Sequence, residues 1–183
     1  MRYIAIQTSN KLKTITNIRN TIMQIMNDSQ DIKRLIYYIS VDPLNEMSVD
    51  LEGNFITQPN LDIDFIIGDK RILPFFNKGI LTEEKVYIVC HRYSSDLKDD
   101  VIGLNKIIID IFVPQVYSQL DSDYDRQILI ATLICDNLDR EIIKSKSLGK
   151  IKVVSCQESI TDTDKEFTVL SMFLEIPTSN MKL

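Results

Sequence analysis

The chain has 183 residues, 44% hydrophobic and 26% charged, with 26 acidic against 21 basic side chains and a net charge of −5. That length suits a single domain able to bury a core without help from disulfide or metal. The acidic balance argues against general nucleic-acid binding, which draws its affinity from Lys and Arg, and no apolar run approaches the roughly 20 residues of a membrane span.

The spacing of Leu12, Ile15, Ile18, Ile22, Ile25 and Met26 predicts an amphipathic helix from Asn10 to Asn27, with Lys11, Lys13 and Arg19 toward water. The preceding Met1–Gln7 stretch is too short in apolar residues to read as a secretory signal. Asp28 or Ser29 is placed to cap a second helix from Gln30 to Ser40, with Ile32, Leu35, Ile36 and Ile39 on its apolar face. Asp42-Pro43 ends it, because proline disfavours helical geometry at the residue before it.

Residues Val41 to Thr82 break this regularity with Pro43, Pro59 and Pro74 and with Gly53, Gly68 and Gly79, yet the stretch is rich in Phe, Ile and Leu. A long irregular segment inside a domain is uncommon without a task, and an apolar one has to cover something. Either it covers its own core, or it is a contact arm for a neighbouring subunit. On the second reading the interface residues are Phe55, Phe65, Ile72, Pro74, Phe75 and Phe76.

The β-branched and aromatic run Lys85–Tyr93 predicts a strand, Ser94–Asn105 a turn-rich loop, and Lys106–Val113 a second strand ended by Pro114. In that strand Asp110 lies on the opposite face from Ile107, Ile109, Ile111 and Val113. A helix is predicted from Asp123 to Lys144, its stripe running through Ile128, Ile130, Ala131, Leu133, Ile134, Leu138 and Ile142. Asp121, Asp123 and Asp125 precede it, where acids favour the positive end of the helix dipole. Ile151–Cys156 reads as a third strand, Gln157–Lys165 as a hairpin loop, and Phe167–Ile176 as a fourth strand ended by Pro177. The order α-α-loop-β-β-α-β-β predicts an α+β fold, with an antiparallel or mixed sheet of about four strands flanked by helices. Within one domain over residues 1–183, the N-terminal helices occupy 1–40, the irregular apolar arm 41–82 and the β-β-α-β-β core 83–177.

Chemistry is sparse. The one histidine, His91, cannot supply a metal cluster and has no neighbouring acyl-transfer signature. No glycine-rich phosphate loop occurs. Asp121, Asp123 and Asp125 alternate like Ca²⁺ ligands, but Gln127 and Thr132 stand where such a loop needs Gly and an acid. A metal-dependent nuclease built from Asp64, Lys106 and Asp110 is an alternative that requires those residues to meet in space. Cys90, Cys135 and Cys156 each lie in an apolar run and read as reduced core thiols. The expectation is a chain with no catalytic, cofactor or metal site.

The run Ile107–Pro114, followed by Tyr124-Asp125-Arg126-Gln127-Ile128 opening a helix and Leu148-Gly149-Lys150-Ile151 opening a strand, resembles the neck and tail-completion proteins of tailed phages. Ile32–Tyr38, Asp42-Pro43-Leu44 and Arg71-Ile72-Leu73-Pro74-Phe75 are similar to upstream parts of such proteins, so the resemblance spans about residues 30 to 176. It implies a tail terminator or head–tail connector: a virion protein made in the host cytoplasm that forms a ring of six or twelve copies. Its partners would be copies of itself and neighbouring neck, portal or tail proteins, with genomic DNA passing through the lumen and no membrane involved. In such a ring Asp96, Asp99, Asp100, Asp162 and Asp164 are candidates for an acidic lumen that keeps DNA from sticking. The alternative is a small monomeric or dimeric binding or regulatory protein.

Overall fold

Helices pack on one face of a five-stranded mixed sheet in the computed structural model of the protein, which describes residues 16–45, 47–49, 55–57, 60–76, 79, 83–97, 102–121, 124–144, 151–161 and 166–179. Helix α1 covers the described residues 16–28, and α2 spans Gln30–Tyr37. A small antiparallel pair follows, β1 (Met47–Val49) with β2 (Phe55–Thr57). The main sheet is built from β3 (Ile72–Leu73), β4 (Tyr87–Leu97), β5 (Ile102–Pro114), β6 (Lys152–Ile160) and β7 (Phe167–Ser179). A 3₁₀ turn at Gln115–Tyr117 and helix α3 (Arg126–Lys144) connect β5 to β6. The strand order is β3-β4-β5-β7-β6, antiparallel throughout except for the short parallel β3–β4 contact.

The alternation of β5 sorts the two faces. Ile107, Ile109, Ile111 and Val113 are fully buried beneath the helices, and Asp110 lies on the reverse face. Onto that apolar face α1 sets Ile18, Ile22, Met23 and Met26, α2 sets Ile32, Leu35 and Ile36, and α3 sets Ile130, Ala131, Ile134 and Leu138. These spacings of three and four make one stripe per helix. Ser29 caps α2, its hydroxyl accepting from the Ile32 amide at 3.5 Å.

Two arginines close the other end of α2. Arg126, fully buried, donates to the carbonyls of Leu35, Tyr38, Ser40 and Tyr117. Arg71 donates to the Ile36 carbonyl and to Asp69, with its guanidinium 5.3 Å from the Tyr37 ring centre and 5.6 Å from that of Phe65. The last carbonyls of a helix have no partner within it. Here those of α2 are met by side chains distant in sequence.

Several expectations need correction. The supposed arm over 41–82 contains three short strands, and much of 60–73 belongs to the protein's own core. Phe65 and Ile72 are 0% exposed, and Ile63 and Ile66 pack beside them. The loop expected over Ser94–Asn105 is mostly strand. Ser94, Ser95, Asp96 and Leu97 pair with Lys106, Asn105, Leu104 and Gly103, so long-range pairing overrides the turn character of Ser-Ser-Asp. Likewise β6 runs on to Ile160 through residues expected as a hairpin loop. Pro177 does not end β7, which continues to Ser179 with Pro177 opposite Leu104. The β6 register ends at Glu175, so β7 has one free side there and proline's missing N–H breaks no ladder. Helix α2 stops at Tyr37 instead of Ser40, and α3 begins at Arg126 instead of Asp123. Of the first helix, residues 10–15 lie outside the described residues. Cys90 is buried and Cys135 half-buried, but Cys156 is exposed on β6 and is no core thiol.

Candidate functional site

The helices pack on one face of the sheet, and on the reverse face the strand registers arrange the side chains in rows, buried at the Phe112 end and half-exposed toward Lys106. Tyr87, Phe112 and Val169 form one row, and Val89, Asp110, Ser171 and Gln157 the next. His91, Ile108, Phe173 and Ser155 make a third, and Lys106, Glu175 and Lys152 a fourth. The first row joins Val89 and Phe167 in a second apolar cluster, against which Leu73 packs. The Phe76 ring stacks on Phe112 with 5.4 Å between centres and 21° between planes. Burial in this cluster pushes the Tyr87 hydroxyl pKa up.

The middle rows are polar. His91 Nε2 lies 2.8 Å from Asp110 Oδ2, off the line of a hydrogen bond, and Lys106 Nζ lies 3.8 Å from Glu175 Oε1. Between Lys106, Ile108, Val154, Ser155, Phe173 and Glu175 is a shallow groove of about 180 Å³. Its floor is apolar and one end carries the Lys106–Glu175 pair.

Among the described residues, two of the exposed apolar surfaces lie at opposite ends of the strand order. The first is the turn after β3, where Phe75 is 64% exposed and Phe76 39%. The second is β6, the edge strand beside β7, all nine of whose residues are exposed, among them Val153, Val154 and Ile160. An unpaired edge of that length is a template for another strand unless something covers or blunts it. A bulge between Val153 and Ser155 and the charges of Lys152 and Glu158 blunt it in part.

The expected interface residues therefore separate. Phe75 and Phe76 are at the surface and Pro74 is half-buried, its carbonyl accepting from Arg19 Nη1 at 3.4 Å. Phe65 and Ile72, expected at the interface, are sealed in the protein's own core and have no area left for a neighbour. Phe55 lies in β2, and its side chain is outside the described residues. Of the acidic candidates, Asp96 is in β4 and not in a loop, while Asp99, Asp100, Asp162 and Asp164 lie outside the described residues.

The nuclease constellation does not assemble. Lys106 and Asp110 share the reverse face but lie four residues apart along β5, about 13 Å. Asp64 belongs to the helix side, just before the 65–68 turn, whose Phe65 amide donates to Asn27 of α1. Its carboxylate accepts the amides of Ile66 and Ile67 at 2.8 and 3.0 Å, which holds its pKa below the ordinary carboxylate value. Among the described residues no group of three His, Cys, Asp or Glu side chains is placed to hold a metal. Cys90 offers no nucleophile either, since burial pushes its thiol pKa up to about 12.

Three surface features escaped the sequence reading: the full exposure of β6, the groove beside it, and Ile67, 76% exposed at the tip of the 65–68 turn. The β-branched character of Lys152-Val153-Val154 marked a strand, but nothing local tells an edge strand from a central one.

The YomW family model covers residues 29–176, from the N-cap of α2 to the buried part of β7. No curated protein matches the chain.

Proposed function

Because the chain belongs to the YomW family, a family of phage origin, we propose that it is a structural protein of the phage neck or tail. On this reading it forms a ring of six or twelve copies at the head–tail junction, as a tail terminator or connector, with DNA passing through the lumen. Its place is then the virion, and its partners are its own copies and the neck, portal or tail proteins above and below.

The observation that carries the reading is the pair of unlike apolar surfaces left open: the Phe75 turn after β3, and the β6 edge at the other end of the strand order. A closed ring of head-to-tail contacts requires two different patches on every subunit, each complementary to the other. An exposed nine-residue edge that carries Val153, Val154 and Ile160 is otherwise a liability, and assembly relieves it. The net charge of −5 suits a passage through which DNA slides without condensing.

The test is the mass of the purified protein in solution together with negative-stain images. Wild type is expected as a closed ring. Phe75→Asp, at a site 64% exposed and not needed for the core, is expected to give a folded monomer with unchanged circular dichroism. A wild type that stays monomeric at the highest soluble concentration rejects the reading.

A further inference from the structure

We propose that the phenyl ring of Phe75 from one copy seats in the groove beside β6 of a second copy, between Ile108, Val154 and Phe173. The contact rests on the self-assembly reading above and names the two halves of its interface.

Size is the first argument. The groove holds about 180 Å³, and an apolar protein cavity of about 150 Å³ is known to take up benzene. One phenyl ring fits the space, whereas a larger helix or strand does not enter it.

The presentation of Phe75 is the second. Its neighbours on both sides are tied down: Pro74 through its carbonyl to Arg19, and Phe76 through its stack on Phe112. A side chain 64% exposed on so constrained a backbone loses little freedom on docking. An aromatic anchor entering an apolar pocket beside a polar rim is the usual form of a binding hot spot. The rim here is the Lys106–Glu175 pair, whose opposite charges add no net charge beside an apolar ring.

The ring cannot fill the groove of its own copy. Phe76 fixes the turn at the Phe112 end of β5, whereas the groove begins at Ile108, four residues or about 13 Å away along the strand, and extends past β7 to β6. The occupant therefore comes from another molecule, and this chain presents a ring of the right size.

Cross-linking tests the contact. Pro74→Cys and Ser155→Cys are combined in a Cys156→Ser background, which leaves the Phe75 ring in place, and treated with a short bismaleimide, with each single variant as a control. Covalent species larger than one chain that require both new cysteines are expected. A ladder that closes at the ring number supports the contact and the ring together. A product that stops at two chains supports the contact, as a reciprocal dimer, and overturns the ring. No cross-link above the controls overturns the contact; if wild-type rings are still seen in the microscope, the ring reading survives it. In parallel, Phe75→Ala is expected to weaken association about 30-fold, as loss of a hot-spot side chain does, and Val154→Asp, on the facing surface, is expected to weaken it as well. Unchanged association of both variants overturns the contact irrespective of cross-linking chemistry.

Discussion

Replacing Arg126 with methionine removes a guanidinium while keeping a long unbranched side chain of good helix propensity. The wild-type side chain is 0% exposed and donates at 2.8 Å to the carbonyls of Leu35, Tyr38 and Tyr117 and at 2.5 Å to that of Ser40. No carboxylate faces it among the described ion pairs. Hydrogen bonds from a charged donor contribute about 1.5–3 kcal/mol each, so at the low figure the four together give roughly 6 kcal/mol. Burial opposes them: it pulls the guanidinium pKa down to about 10, a displacement of about 3 kcal/mol at ~1.36 kcal/mol per pH unit. The difference predicts that Arg126→Met loses about 3 kcal/mol, or about 6–12 °C in Tm for a chain of this length. Urea and thermal unfolding followed by circular dichroism measure it, with an unchanged urea slope showing that the native state is otherwise intact. Arg126→Lys is expected to be no better, since an ammonium keeps the charge but cannot span four carbonyls. If Arg126→Met equals or exceeds wild type, desolvation outweighs the hydrogen bonds, as happens when some buried ion pairs are replaced by apolar groups. The arginine would then not be what holds α2 in place.

Two further predictions concern single atoms. A thiol reagent such as Ellman's is expected to label exposed Cys156 first, half-buried Cys135 more slowly and Cys90 only in denaturant, because burial pushes the Cys90 pKa up to about 12 and leaves it protonated. Rapid labelling of all three in native buffer would contradict this burial. Gly68→Ala is expected to cost about 1–3 kcal/mol, because an added Cβ would sit 2.7 Å from the Asp64 carbonyl oxygen, which already accepts the Gly68 and Asp69 amides. An unfolding midpoint equal to wild type would show that the turn shifts freely.

What the sequence disclosed follows the range of the forces involved. The cap at Asp28 or Ser29, resolved as Ser29, the α2 stripe through Ile32, Leu35 and Ile36, and the inward isoleucines of β5 depend on spacings of a few residues and were legible; Ile39, expected on the same stripe, lies beyond the helix and is exposed. Strand ends were not. Ser94-Ser95-Asp96 has the composition of a turn, and it forms a strand because 103–106 lies across from it. Residues 152–160 show no burial alternation, since all are exposed, so the polar half from Gln157 on gave no sign of belonging to a strand. The apolar content of 41–82 signalled that something is covered, but not that Phe65 would be drawn to α2 and Arg71 while Phe75 remains outside. In the sequence Arg126 marks only the opening of a helix; its carbonyl partners on α2 and just beyond lie 86 to 91 residues away, beyond any local signal.

The exposure of β6 also governs how the sheet comes apart. Its contacts within the sheet are with β7 alone, and detaching it uncovers little of the core, so its amides from Ser155 to Ile160 should exchange with solvent well before those of β5. A strand that peels away so cheaply can also lie down on the β7 of a neighbour. Subunits would then trade strands, and the joint between them could be remade without unfolding either one.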